Sequence, residues 1–368
     1  MALLCLRPEQ ELPIDPAIAE RCAVVLEVPA PARGWVSRRV GWSGGFLTGL
    51  PPWAVDCRSP EFASTLDRML DEWRPDVVEI HLQAMAQYVL TPARRGIARI
   101  LVDYDPGSAW ATDLLRGTKG LRRLPRRLEV TAWRRYERRT RPQFDAIVVF
   151  ADRDLAAVRP SAGGTPVTRI PLAVEVPEQP LAPEGSGQPT VVFVGGFGHP
   201  PNVDAAHWLA DSIFPRVARE VPEARLELVG NAPGEEILAL EGEGVSVHGS
   251  VPDVRPHLDR AAVVVAPIRI GGSMRMKVLE ALAAGKALVA TLRAAEGVEA
   301  KPGEHLLVAE DEDDLVEAIV ELLLDPPRRR HLAESARRWA ETHLGWDEGV
   351  AAFEALYASL GQARRPCD

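Results

Sequence analysis

Gly271, Gly272, Ser273, Arg275, Lys277 and Glu280 crowd into one short stretch between two runs rich in small and β-branched residues, 262–267 and 286–291. Paired glycines allow backbone conformations that a Cβ forbids and let a ligand approach the main chain. Ser273 suits the cap of a helix whose apolar face is Met276, Leu279 and Ala283 and which ends at Gly285. The N-terminus of such a helix presents unpaired N–H groups and partial positive charge, the chemistry that holds a phosphate. Arg275 and Lys277 place cations where the helix dipole disfavours them, a cost that an anionic ligand offsets. Glu280 follows one turn after Lys277, within reach of a sugar hydroxyl. A plain strand–helix–strand crossover with a surface Lys277–Glu280 pair is the competing explanation.

A second glycine turn, GGFGHPPN at 195–202, also precedes a helical stretch. Gly195 and Gly196 make it a usable phosphate cradle. It lacks the third glycine of a dinucleotide fingerprint, and the acidic Glu227 falls within a strand rather than after one, so a Rossmann dehydrogenase is disfavoured. In the first half, His81 lies near the carboxyl end of the strand 76–83, and the strand 97–102 runs straight into Asp103 and Asp105. Open α/β sheets bind ligands at such ends. His81 is a candidate catalytic residue or a structural hydrogen-bonder. The carboxylate pair either orients a substrate hydroxyl or caps the next helix.

Strand and helix patterns alternate regularly around these residues, which predicts an α/β protein with two Rossmann-like parallel-sheet domains facing a cleft. At 368 residues the chain exceeds what one hydrophobic core usually serves. The expected division is a first domain at 1–176, a proline-rich linker at 177–189, a second domain at 190–345, and a final helix at 346–368 packing back toward the first domain. Strands are expected at 2–6, 23–28, 76–83, 97–102, 145–150 and 167–171 in the first domain, and at 191–194, 224–229, 245–248, 262–267, 286–291 and 306–308 in the second.

Residues 1–180 hold 25 Lys and Arg against 22 Asp and Glu, net +3, whereas 181–368 hold 18 against 30, net −12. So acidic a chain is a poor general nucleic-acid binder. Eleven basic residues fall between Arg116 and Arg141, interleaved with Leu121, Leu124, Leu128, Trp133 and Tyr136. A stretch of this kind suits peripheral contact with an anionic membrane or a lipid-linked acceptor, or else it is a solvated helical face. No apolar run is long enough to span a bilayer, and no secretory signal opens the chain. Cys5, Cys22, Cys57 and Cys367 lack metal-site or disulfide spacing, which points to a reducing compartment, so the expected location is the cytosol.

The segments VVFVGGFGHPPNVDAAHWL, ARLELVGNAP, VSVHGSVPDVRPHLDRAAVVVAP, GGSMRMKVLEALAAGKALVAT and AAEGVEAKPGEHLLVAED occur in the order and spacing of a known family. They resemble the nucleotide-sugar domain of retaining glycosyltransferases with the GT-B fold, the family-four-like group 1 glycosyl transferases, over almost all of 190–310. DAIVVFADRDLAAV and RIPLAVEVP are a fainter match to the end of that family's first domain. The resemblance implies a nucleotide-diphosphate-sugar donor on the second domain and a glycan, lipid-linked or small-molecule acceptor on the first. It implies transfer with retention of anomeric configuration, no cofactor and no required metal. Of the family's glutamate pair, the later one, which contacts the ribose, falls on Glu280; the earlier one falls on Gly272. Gly196 and Asn202 stand where the family's phosphate-binding Arg and Lys are expected, which leaves Arg269, Arg275 and Lys277 to neutralise the diphosphate. Tyr104 stands where the family has a histidine; His81 and Asp105 are the candidate catalytic residues. The chain opens at what would be the family's second strand, so the first domain is expected to lack its first. A nucleotide-sugar 2-epimerase and a non-catalytic relative of the same fold are the alternatives.

Overall fold

The computed structural model describes residues 1–9, 13–32, 34–90, 96–270 and 276–362. It divides into two compact units, Met1–Ile170 with the residues from Phe353 onward, and Pro171–Ala352.

Among the described residues, the first unit contains six strands: β1 (Ala2–Arg7), β2 (Val24–Pro29), β3 (Val77–His81), β4 (Ala98–Val102), β5 (Ala146–Val149) and β6 (Val167–Arg169). All pair in parallel, but in two sheets, β1–β2 and β3–β4–β5–β6. Ile100, Leu101, Ile147 and Val148 are fully buried. Trp133 and Tyr136, from the helix Arg123–Thr140, share one core with Leu101 and Ile147. A Cβ on Gly107 would lie 2.4 Å from the Trp133 ring, so only glycine lets the chain after β4 pass flat against the indole. The basic stretch is not one helix. The helix Gly107–Gly117 ends at Thr118, and after a short turn at Gly120–Arg122 the helix Arg123–Thr140 begins.

The second unit holds β7 (Thr190–Val194), β8 (Arg225–Val229), β9 (Val245–His248), β10 (Val263–Ala266), β11 (Leu288–Thr291) and β12 (Leu307–Ala309). They form one parallel sheet ordered β12-β11-β10-β7-β8-β9. Alternate residues serve two cores. Val191, Phe193, Val263 and Val265 pack on one face, and Val192, Val264, Ala266 and Leu288 on the other, so both faces are covered and the strands are apolar throughout. The helical stretch after β7 runs from Pro200 to Glu220 through a wider π turn at Trp208–Ile213. Pro215 explains that turn, because it has no N–H to donate and crowds the carbonyl one turn back. The proline-rich segment 177–189 lies in this unit, with Leu181 N–H donating to Ala284 O and Ser186 N–H to Arg260 O. Among the described residues no helix is long and apolar enough to cross a membrane.

Candidate functional site

The strand order of the second unit reverses between β7 and β10. Connections leave the carboxyl ends of these two neighbours in opposite directions, which opens a crevice where doubly wound sheets bind ligands. Each connection contributes to one polar constellation. After β7 comes the glycine turn, then the helix Pro200–His207; after β10 comes the helix Met276–Ala283. Lys277 Nζ donates to Asn202 Oδ1 at 2.5 Å, and Asn202 Nδ2 donates to the Gly196 carbonyl at 2.8 Å. Asn202 therefore ties the cation of one connection to the backbone of the other. The Lys277 ammonium also lies 5.4 Å from the centre of the buried Phe193 ring. Burial pushes Lys277 down to about 8, with Glu280 opposing the shift. The carboxyl of Glu280 is raised by loss of solvent from its base, with Lys277 opposing, while the residue remains exposed at the surface. His199 is lowered by burial and by the charge of Lys277. A cavity of about 10 Å³, room for one water, sits beneath Lys277 and Glu280 against Val194, Val264 and Ala266.

The glycine turn is built by close approach. A Cβ on Gly196 would lie 2.6 Å from Asn231 Oδ1, one on Gly195 2.9 Å from Asn202 Cγ, and one on Gly230 1.9 Å from the Gly195 carbonyl oxygen. Gly195 N–H donates to Val229 O and Phe197 N–H to Asn231 O, so the turn is pinned to the end of β8. Ala232, just past it, has φ of 51°. A non-glycine residue in the left-handed region costs energy and persists where surrounding structure enforces it, commonly at ligand sites.

Arg269 has its charge engaged elsewhere: its guanidinium donates to both Asp204 oxygens at 2.7 and 2.9 Å and lies 4.8 Å from the Trp208 ring. Gly271, Gly272, Ser273 and Arg275 lie outside the described residues. Sequence reasoning missed His199 and Asn231 and named Asn202 only as a replacement. Their signal was position, since both Asn231 and the glycine turn immediately follow strands.

In the first unit, His81 is exposed at the end of β3, with Nδ1 2.7 Å from the Tyr104 hydroxyl and Nε2 3.4 Å from Glu79 Oε2. Glu79 Oε1 accepts the Tyr357 hydroxyl at 2.8 Å. Burial raises Tyr104, and Glu79 raises it further. Tyr104 also stacks on Phe150 with ring centres 5.0 Å apart. Leu82, next to His81, has φ of 71°, a second strained residue just past the end of a strand.

The carboxylate pair after β4 separates into two environments. Asp103 is fully buried and accepts from the equally buried Arg141 at 2.9 Å, with Glu137 Oε2 3.4 Å from the same guanidinium. Burial raises Asp103 while Arg141 opposes it. Asp103 thus neither reaches a substrate nor caps the next helix, whose cap position is Pro106. Asp105 is half-buried in the following turn.

The fold defines the class: two Rossmann-like units of the GT-B glycosyltransferase architecture. Sucrose-phosphate synthase from Thermosynechococcus elongatus is similar over 98% of this chain and 89% of its own, at 15% identity and a TM-score of 0.74. WaaG, a glycosyltransferase involved in lipopolysaccharide biosynthesis, is similar over 96% and 99%, at 16% identity and a TM-score of 0.68. The pneumococcal O-GlcNAc transferase GtfA, solved with UDP and GlcNAc, is similar over 80% and 59%, at 13% identity and a TM-score of 0.59. More particularly, residues 188–325 match the family of glycosyl transferases group 1, so the constellation around Lys277 lies in the part of the chain similar to that family. An uncharacterised 44.6 kDa protein of the cps region of Klebsiella pneumoniae is 27% identical over 131 residues, 33% of this chain and 34% of that protein.

Proposed function

We propose that this protein is a glycosyltransferase, moving a sugar from a nucleotide-diphosphate-sugar donor to a glycan, lipid-linked or small-molecule acceptor with retention of configuration. The observation that carries this reading is the Lys277–Asn202–Gly196 linkage across the switch point of the second unit, with Glu280 one turn away. Keeping a cation there is costly without an anion to meet it. In the reaction the bond from the anomeric carbon to the diphosphate breaks, the electron pair leaves with the diphosphate, and a bond to the acceptor oxygen forms. Lys277, with Arg275, neutralises the departing charge, and the backbone N–H at Gly196 adds a dipole. Glu280 accepts hydrogen bonds from the ribose. The acceptor proton passes to His81, which Tyr104 and Glu79 orient, and Asp105 is the second acceptor-side carboxylate. No metal is required, because protein cations supply the charge that a metal ion would.

The basic segment 116–141 is the proposed peripheral contact with an anionic surface on the cytosolic side. Leu121, Leu124 and Leu128 are 97%, 65% and 48% exposed, which a face made only for solvation does not need. Sedimentation with vesicles of anionic lipid, lost on changing these leucines to serine, tests it.

The primary test is calorimetric binding of UDP, GDP, dTDP and ADP, repeated on Glu280→Ala, followed by product analysis with donor and candidate acceptors. Selective binding of one nucleotide, weakened by the substitution, is expected. Binding unaffected by the substitution would refute the site. An altered sugar formed from donor alone would refute transfer in favour of epimerisation.

A further inference from the structure

Away from the switch point, three metal-ligating side chains meet on one face of the second unit's sheet. Glu227 comes from the middle of β8 and His248 from the last position of β9; the register sets Glu227 beside Ser246, so His248 projects from the same face. His257 comes from the helix Arg255–Arg260 that covers this face. One ligand atom from each lies within 4.8 Å of the others: His257 Nδ1 is 2.7 Å and His248 Nε2 3.7 Å from Glu227 Oε2. The two imidazoles approach with ring centres 4.6 Å apart.

We propose that Glu227, His248 and His257 bind a divalent transition-metal ion, zinc by its ligand chemistry, and that the ion clips the end of β9 and the helix Arg255–Arg260 onto β8. Two imidazoles and a carboxylate with an open fourth position are a recurrent zinc set. Zinc–ligand bonds of about 2.0–2.2 Å place tetrahedral ligand atoms about 3.3 Å apart. The observed 2.7 and 3.7 Å bracket that spacing, so an ion enters by side-chain adjustment without moving a strand.

A cation already attends this carboxylate. Arg260 Nη2 lies 3.5 Å from Glu227 Oε2 and 3.1 Å from His257 Nδ1. The Arg260 carbonyl is fixed by Ser186 N–H, while its side chain is 43% exposed. The guanidinium neutralises Glu227 without metal and leaves when the ion arrives. Such a site is independent of the sugar-transfer reading.

The test uses the full chain, stripped with EDTA, and zinc chloride alone. Calorimetry is expected to show one zinc per chain and a rise in Tm on zinc addition, both lost in His248→Gln. His248 is the most exposed of the three ligands, so this variant is expected to fold, as far-UV circular dichroism would report. Arg260→Gln, which removes the competing cation, is expected to bind zinc at least about threefold more tightly. Cobalt(II) is expected to give the strong visible absorption of a tetrahedral site. Zinc affinity unchanged in His248→Gln, or only the weak absorption of octahedral cobalt, would overturn the proposal and mark binding as adventitious. Nucleotide binding reports separately on the switch-point site, so failure of one is distinguishable from failure of the other.

Discussion

Replacing Lys277 by methionine separates what this residue does for binding from what it does to stability. Its ammonium is held from 10.5 down to about 8 by burial. At about 1.4 kcal/mol for each tenfold in proton affinity, keeping it charged costs the folded state at most about 3 kcal/mol. Methionine removes that cost but forfeits the bond to Asn202 and the contact with Phe193, together worth about 2 kcal/mol. At neutral pH the variant is therefore expected to be more stable by about 1 kcal/mol, a rise in Tm of about 2–4 °C for a unit of this size. Between pH 8 and about 10.5 folded Lys277 has lost its proton while the unfolded chain retains it, so the unfolded state binds more protons and wild-type stability rises with pH. The methionine variant lacks this contribution from Lys277, and the order of Tm values inverts as pH approaches 10. Nucleoside diphosphate affinity moves the other way, falling by about 30-fold for the loss of about 2 kcal/mol of charge-assisted bonding. Differential scanning calorimetry across this pH range and titration calorimetry at pH 7 measure both effects. A Tm difference that stays flat with pH would refute the buried-charge reasoning, and unchanged nucleotide affinity would refute the anion site.

Gly230→Ala puts a Cβ 1.9 Å from the Gly195 carbonyl oxygen, so the turn or the end of β8 must shift; a loss of about 3 kcal/mol and of nucleotide binding is expected, measured by denaturant melts and calorimetry. Arg141→Ala strands Asp103 in a fully buried place and is expected to cost about 3–5 kcal/mol. Part of that loss should be recovered in the Asp103→Asn, Arg141→Met double variant, and an additive double variant would contradict the pairing. His81→Ala is expected to lower transfer by about 10²–10⁴-fold with donor affinity and Tm unchanged, because the side chain is exposed; a shift in donor affinity instead would move His81 out of the acceptor role.

Much of the fold was legible in the sequence because parallel strands buried on both faces are short runs of Val, Ile, Leu and Ala, and such runs stand out between polar helices. All twelve strands fall within two residues of the expected ranges. The glycine turn and the helix around Lys277 and Glu280 were visible for a related reason: close backbone approach requires glycine, and helical spacing is local.

Pairings between distant residues were not legible. Asp103 and Asp105 look equivalent in sequence, and only the partner 38 residues away, Arg141, makes one a buried structural ion. Arg269 looked as available to a diphosphate as Lys277 until Asp204 engaged it. Asn202 and Lys277 lie 75 residues apart, and Glu227 and His257 lie 30 apart, within strands and helices whose patterns report burial but not neighbours. Residue type and spacing along the chain therefore determined the elements and which of them carry polar groups. The order of strands in the sheet decided which groups meet, because a crossover connection brings residues together across distances that local periodicity does not encode.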